Sequence, residues 1–161
     1  DNWTDDEWWM DQENRALIKN EGYWTINEGE AEGKILGGNL GTFNLLHGTQ
    51  YMPDISDSVL FIEDDSESQT VHFDRQLQAL IHQPGFDSVR GLVIGRFQKE
   101  SQIQRDDLED IIRTKKELDK IPVIANVDFG HTEPKITIPI GGQVYIKALS
   151  DSTKISFKNR N

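Results

Sequence analysis

The chain has 161 residues, the length of one domain, and its 17 Lys and Arg against 28 Asp and Glu give a formal net charge of −11 at pH 7. This acidity argues against broad nucleic-acid binding, because contacts with the phosphate backbone are made by Lys and Arg. The chain has no Cys, which excludes a disulfide framework, a thiolate metal site and a cysteine nucleophile, and no apolar run comes near the roughly 20 residues that span a bilayer.

The first 22 residues differ from the rest, because they combine three of the four tryptophans with many acidic residues. One interpretation is a helix start, with Thr4 as N-cap and Glu7 three positions later in a capping box. The other is a segment that lies between domains or faces a substrate, because two adjacent tryptophans on a helix point about 100° apart and cannot both face one core. We expect the second arrangement for residues 1–22, with aromatic faces that contact a substrate. The tryptophans concerned are Trp3, Trp8 and Trp9.

From residue 23 onward, short apolar strands alternate with amphipathic helices. The helix predicted over 69–83 repeats its apolar side chains at intervals of four, seven and eight residues, and Pro84-Gly85 ends it. The predicted elements are strands at 23–26, 34–36, 59–62, 91–94 and 122–127, a short helix that ends at Gly48, and longer helices at 69–83 and 104–119.

The last part of the chain is predicted to add antiparallel strands. Apolar residues alternate over 136–140 and again over 144–146, and Gly141-Gly142 between them predicts a hairpin turn. The middle of the chain predicts βαβ units with right-handed crossovers. We therefore expect an α/β fold, with one compact domain over 23–161 that is built on a mixed sheet and ends in an antiparallel hairpin.

Two side chains follow buried strands, at positions where the catalytic groups of α/β folds collect. His131 comes after the strand at 122–127, and Glu63 ends the strand at 59–62. A carboxylate beside a histidine fixes the tautomer of the ring and stabilises the imidazolium formed during acyl transfer. The alternatives are a loop histidine with satisfied hydrogen bonds and an acidic turn that is solvated.

The other candidates carry weaker signals. No serine stands in a Gly-x-Ser-x-Gly elbow, so the residues alone supply two parts of a triad and no nucleophile. His47, His72 and His82 lie on or beside predicted helices without metal-ligand spacing, and we expect them at the surface. The glycine-rich stretch around Asn39 forms either a tight turn or an anion-binding nest, which makes Asn39 a substrate-binding candidate.

Five segments of the chain, taken together in order and spacing, resemble one family over about residues 20–150. They are GGNLGTFNLLHGTQYMPDI, VLFIEDD, FDRQLQAL, GLVIGRF and PVIANVDFGHTEPKITIPIG. They resemble the serine peptidase family of the murein LD-carboxypeptidases and the microcin C self-immunity peptidases. The opening Trp-Thr-Asp and the two later tryptophans are more similar to the microcin-immunity branch.

The resemblance implies the carboxy-terminal domain of that family, with a swivelling β/β/α fold. It also implies a Ser–Glu–His triad whose serine belongs to a separate amino-terminal domain. The glutamate of the triad matches Glu63, and the histidine that follows Asp-Phe-Gly matches His131. In the microcin-immunity branch an aromatic loop stacks on the nucleobase of a peptidyl-nucleotide, which matches the tryptophans of residues 1–22.

Three classes of function remain open at this point. The first is a serine carboxypeptidase that cuts either a peptidyl-nucleotide antibiotic of the microcin C type, as a self-immunity protein, or a murein tetrapeptide before its terminal D-Ala. The tryptophan-rich segment favours the peptidyl-nucleotide. The second class is a non-catalytic ligand-binding domain, for which the missing serine is the sole support. The third is an acidic interaction module that pairs through an edge strand.

The expected partners are the amino-terminal domain that carries the serine, a small peptide or peptidyl-nucleotide substrate, and a second copy, because the resemblance implies dimers. We expect no nucleic acid, membrane, metal or cofactor, and a cytoplasmic location. The chain begins without Met, so we expect it to be a piece of a longer protein. Because this piece lacks the nucleophile, we expect it to be inactive alone.

Overall fold

The computed structural model describes residues 2–7 and 9–158. The strands are β1 (Asn2–Trp3), β2 (Ile18–Lys19), β3 (Trp24–Asn27), β4 (Gly29–Asn39), β5 (Ser58–Glu63), β6 (Gly91–Gly95), β7 (Val123–Val127), β8 (Gln143–Leu149) and β9 (Ser152–Lys158). The α-helices are α1 (Leu40–Asn44), α2 (Thr70–Ile81) and α3 (Arg105–Arg113), and short 3₁₀ helices lie at Phe86–Ser88, Lys99–Ser101 and Lys116–Leu118. No helix in the described ranges has the length and apolar character needed to cross a membrane.

Seven of the strands form one mixed sheet in the order β3-β7-β6-β5-β4-β8-β9. The four strands β4, β5, β6 and β7 run parallel, while β3, β8 and β9 join antiparallel to their neighbours. Every residue of β5, β6 and β7 is buried, which explains why these strands are continuous apolar runs in the sequence. The predicted mixed α/β fold with a C-terminal antiparallel hairpin is confirmed.

The sheet has an apolar cluster on each face. Successive residues of a strand point to opposite faces, so Leu60 and Ile62 join the cluster that contains the apolar side chains of α2 and α3, whereas Val59 and Phe61 join the cluster on the other face. The same alternation places the side chain of Glu63 on the face of Phe61, away from the helices. The position of Glu63 in the strand therefore places its carboxylate on the helix-free face of the sheet.

The predicted position of the hairpin turn is wrong. Gly141 and Gly142 form backbone hydrogen bonds with Ile35 of β4, and the hairpin joins β8 to β9 instead. The segment 136–140 forms no strand, and Pro139 within it has no N–H to donate to a ladder. The alternation of isoleucines there is still meaningful, since Ile136 and Ile138 pack against the helix-free face of the sheet.

Two helix predictions also need correction. The helix predicted over 104–119 ends at Arg113, because the chain turns there and buries the Lys115 side chain, whose ammonium pairs with Asp74 of α2. The helix start at Thr4 is wrong. Thr4 is buried and forms a two-way backbone bridge with Glu133, with N···O distances of 2.9 and 2.8 Å.

Candidate active site

The parallel part of the sheet brings the predicted site residues to one edge. Asn39 and Glu63 are paired residues at the carboxyl ends of β4 and β5. His131 lies in the loop that follows β7, which runs parallel to both. The carboxyl edge of parallel strands is where α/β folds place their ligands. The sequence therefore positions three polar side chains at this edge through strand direction alone.

Glu63 and His131 form a close pair. Nδ1 of His131 lies 2.6 Å from Oε2 of Glu63, and the Glu63 side chain is 10% exposed against 45% for the ring. Because the carboxylate accepts, the pair favours the tautomer with a proton on Nδ1, which leaves the Nε2 lone pair available. Among the described residues, Nε2 has no hydrogen-bond partner and no serine hydroxyl contacts the ring. The ring can therefore accept a proton from an incoming group.

Two glycines leave the space that the Glu63 side chain occupies. A Cβ on Gly95 would lie 2.7 Å from Cβ of Glu63, and a Cβ on Gly130 would lie 2.6 Å from Oε2. Gly130 also has φ +101°, a conformation that side-chain-bearing residues rarely adopt. The glycine before His131 therefore lets the loop pass over the carboxylate and place the ring against it.

The electrostatic setting of Glu63 combines opposing effects. Burial, the largest, raises the pKa of Glu63 above its ordinary 4.5, and the neighbouring charge of Asp64 acts in the same direction. The charge and hydrogen bond of His131, together with a hydrogen bond from Asn39, act to lower that pKa. A buried carboxylate that titrates above the usual range gains from a cationic partner, and an imidazolium formed at His131 is that partner.

An apolar cavity of about 270 Å³ adjoins the pair on the helix-free face of the sheet. Phe61, Phe129, Ile136 and Ile138 line it beside Glu63. Glu63 therefore lies beside apolar side chains on this face, and it is 7% exposed as a residue. A larger cavity of about 660 Å³ lies between β3 and α3, and none of its lining residues belongs to the predicted site. The candidate site is therefore identified by the pair of His131 and Glu63, and not by the size of the cavity.

The structure gives Trp3 and Trp9 different surroundings. Trp3 is half-buried, and its ring lies under the Arg96 guanidinium, with 4.9 Å from the ring centroid to Cζ. Trp9 is 64% exposed. Trp8 lies outside the described residues, so the substrate contact predicted for it stays a prediction, as do those for Trp3 and Trp9. The bridge from Thr4 to Glu133 holds this segment beside the loop that carries His131.

Sequence reasoning missed two features of this region. Arg96 is buried and donates to Asn20 (3.0 Å) and Asp128 (2.5 Å), which ties the first segment to the end of β7. Asp64 is 5% exposed and accepts a hydrogen bond from Asn39, although it stands in an acidic run typical of a solvated turn. Alternation along β5 could have indicated that Asp64 points to the helix face.

The other histidines do not join the pair. His72 lies on α2 and His82 follows its last turn, while His47 lies beyond α1. Within the described ranges, no group of three or more His, Asp or Glu side chains is placed to hold a metal ion. The site as it stands consists of an imidazole, the carboxylate that hydrogen-bonds to it, and a flanking amide.

Comparison with known proteins adds the family context. The family model for the LD-carboxypeptidase C-terminal domain matches residues 32–146. YocD of Bacillus subtilis strain 168 is 51% identical over 153 residues, which is 95% of this chain and 47% of YocD. The crystal structure of an MccF-like protein from Bacillus anthracis strain Ames superposes with a TM-score of 0.93 at 50% identity, over 96% of this chain and 48% of that one.

A more distant relative carries a more informative name. MccF of Escherichia coli, a microcin C7 self-immunity protein, is 32% identical over 124 residues, which is 73% of this chain and 35% of MccF. A structure of MccF in complex with aspartyl sulfamoyl adenosine superposes with a TM-score of 0.77 at 28% identity, over 99% of this chain and 48% of that one. The chain thus spans about half the length of most of these relatives, and about a third of MccF in the sequence match.

Proposed function

The chain belongs to the family of LD-carboxypeptidase C-terminal domains, and from this premise we propose that it supplies the general base and the orienting carboxylate of a serine carboxypeptidase. The observation that carries the proposal is the 2.6 Å contact between His131 Nδ1 and Glu63 Oε2. The nucleophilic serine comes from an amino-terminal domain, which accords with relatives about twice as long as this chain. Residues 23–161 form the carboxy-terminal domain, and residues 1–22 face the substrate.

The mechanism follows from the two ends of the imidazole ring. Nε2 of His131 accepts the serine proton as Oγ attacks the carbonyl carbon of the scissile amide, and the tetrahedral intermediate forms. The imidazolium then donates that proton to the leaving nitrogen, the C–N bond breaks, and an acyl-serine remains. A water molecule gives its proton to Nε2, attacks the acyl carbon and releases the carboxylic acid, after which the serine regains its proton. Glu63 holds the tautomer throughout.

For the substrate, we infer a peptidyl-nucleotide of the microcin C type, cut at the bond that joins the aminoacyl part to the nucleotide. MccF is named as a microcin C7 self-immunity protein and has been solved with an aminoacyl sulfamoyl adenosine. The exposed indole of Trp9 supports the inference, because aromatic faces stack on nucleobases. The cytoplasmic location and the dimer stay predictions.

The murein tetrapeptide is the second candidate substrate, and the description of the family as LD-carboxypeptidases favours it. Such a peptide has no base to stack on an indole, so the tryptophans would then have a structural role. A non-catalytic ligand-binding domain is less well supported, because such a domain has no need for an exposed Nε2 on an oriented ring.

The deciding experiment offers both substrates to the full-length protein and to the 161-residue chain. We expect the full-length protein to hydrolyse the peptidyl-nucleotide faster than the tetrapeptide, with products identified by mass spectrometry. The chain alone is expected to hydrolyse neither and to resist labelling by a serine-directed phosphonate, because it has no nucleophile. Labelling of the folded chain would show that the nucleophile has been misplaced, and faster cleavage of the tetrapeptide would reverse the order of substrates.

The tryptophans give a second test. Trp9→Ala in the full-length protein is expected to raise KM for the peptidyl-nucleotide about tenfold, since stacking of one base contributes about 1–3 kcal/mol. Trp3→Ala is expected to lower Tm instead, because the Arg96 guanidinium loses the ring beneath it. KM for the tetrapeptide serves as the control. If Trp9→Ala lowers Tm and leaves every KM unchanged, Trp9 is structural and the tetrapeptide gains support.

A further inference from the structure

A third cavity, of about 370 Å³, opens on the helix side of the same sheet edge. Asp64, the residue after Glu63, lines it, together with residues from the start of α1, the loop after β5 and α2. The side chains that matter below are Asn39, Asp64, Asp65, Glu67, Ser68 and Gln76. The proposed mechanism uses none of these except Asn39.

Several acceptors in this cavity are buried without a partner. Asp64 is 5% exposed, and its Oδ1 accepts from the Asn39 side-chain amide (3.3 Å) and the Asp65 backbone (3.1 Å), but its Oδ2 accepts from no described group. Ser68 Oγ and Gln76 Oε1 are likewise buried and unpartnered among the described residues. Leaving such atoms unsatisfied is costly. They therefore indicate a ligand that brings hydrogen-bond donors.

The negative charge of the cavity indicates which kind of hydrogen-bond donor the ligand carries. Asp64, Asp65 and Glu67 contribute three carboxylates beside the imidazole of His72, and within the described part of the chain none of the three forms a salt bridge. A partly enclosed site of this charge favours a cation with several N–H groups, and an ammonium offers three while a guanidinium offers five. The described carboxylates and histidines are not placed to hold a metal ion, which favours an organic cation.

Asn39 connects this cavity to the catalytic pair. Its side-chain amide donates to Asp64 (3.3 Å), and its backbone is the register partner of Glu63 in the pairing of β4 with β5. Its carbonyl oxygen is engaged by the backbone N–H of Thr42, which fixes the side chain at the start of α1. A cation on Asp64 therefore lies one residue along the chain from the carboxylate that orients His131, at the same edge of the sheet.

We propose that this acidic cavity binds a positively charged amine or guanidine of the substrate's acyl part and makes the enzyme prefer such substrates. The expected substrate preference rests on the proposed function. The binding of a cation in the cavity does not depend on that function. Two sources of the cation exist in an aminoacyl substrate, the α-amino group and a basic side chain, and the test separates them.

Binding is tested first, because it requires no catalysis. The full-length protein is titrated with n-butylammonium and with n-butanol, a neutral probe of the same length, and amide shifts are followed by NMR. We expect the ammonium to bind at least about tenfold more tightly and to shift residues 39 and 64–68. Asp64→Asn and Glu67→Gln should each weaken it, while Glu117→Gln, an exposed carboxylate outside the cavity, should not. Equal binding of the two probes, or binding indifferent to the cavity variants, overturns the proposal.

Specificity is tested second, with lysyl, norleucyl and N-acetyl-norleucyl sulfamoyl adenosines. A side-chain source predicts that kcat/KM for the lysyl compound exceeds that for the norleucyl compound at least about tenfold. An α-amino source predicts instead that norleucyl exceeds N-acetyl-norleucyl. In either case Asp64→Asn and Glu67→Gln should bring the ratio of the two kcat/KM values toward one. Because both values come from the same variant, a general effect on turnover cancels in this ratio. Ratios near one in the unmodified protein overturn the preference. Failure to cut any compound, with ammonium binding intact, overturns the proposed function and leaves the cation site standing.

Discussion

Replacing His131 with Ala in the full-length protein is expected to lower kcat about 10⁶-fold, the order found when the base of a serine protease triad is removed. The ring hydrogen-bonds to Glu63 through Nδ1, and its Nε2 is placed to carry the proton from the serine to the leaving nitrogen. KM should change little, because the loss concerns proton transfer in the transition state. Single-turnover kinetics with the peptidyl-nucleotide measures the effect on acylation directly.

The matched control for this variant is His82→Ala. His82 is an exposed histidine after the last turn of α2, and its hydrogen bond to Gln78 lies at the surface. We expect that variant to keep the original kcat. If His131→Ala retains more than about a hundredth of the original kcat in a folded protein, the general base is a different residue, since general-base catalysis alone contributes about 10²–10⁴-fold.

Glu63→Gln is expected to lower kcat about 10⁴-fold while the fold persists, because the amide can donate to Nδ1 and so favours the wrong tautomer of His131. Glu117→Gln makes the same chemical change on an exposed residue and should leave kcat unchanged. The measurement is kcat with the peptidyl-nucleotide for both variants. Turnover near the original value in Glu63→Gln would exclude the orienting role.

The same variant is expected to reveal the energetic cost of the buried carboxylate. Because the pKa of Glu63 in the folded chain lies above its ordinary 4.5, folding favours proton uptake, and the free energy of unfolding falls as pH rises through the folded pKa. In Glu63→Gln the side chain does not ionise, so this fall in the free energy of unfolding is absent. Its Tm, relative to that of the original protein, should therefore increase from about pH 4 to about pH 7. A difference that stays constant or decreases would mean that the partnership with His131 outweighs burial.

Much of this architecture could be predicted from the sequence, because buried parallel strands consist of short runs of apolar residues. The runs before Glu63 and before Asp128 predicted two strands, and the rule that parallel strands end at one edge predicted that Glu63 and His131 come together. The resemblance to the LD-carboxypeptidase and microcin-immunity family is confirmed by the match over 32–146. The catalytic role of the pair stays a prediction.

What the sequence did not reveal depends on tertiary contacts. The alternating isoleucines of 136–140 carry the pattern of a strand, but their burial comes from lying across the sheet rather than from pairing in it. The helix from Arg105 ends before the predicted residue 119, because Lys115 forms an ion pair with Asp74 on another helix. The local sequence pattern does not predict this contact. The burial of Asp64 likewise depends on Asn39, 25 positions earlier in the chain.

The glycines around Glu63 bear on how specificity can diverge among such proteins. Main chain forms the walls at Gly95 and Gly130, and every other residue would bring a Cβ into the space of the carboxylate. A wall of this kind cannot be reshaped by exchanging one side chain for another, so mutational tolerance there is close to nil. On the Asp64 side the walls are side chains, and exchanges at Asp65 or Glu67 alter them without replacing Asn39, Glu63 or His131. New substrate preferences are therefore accessible to evolution through the side chains that line the cavities, and not through the two glycines that adjoin Glu63.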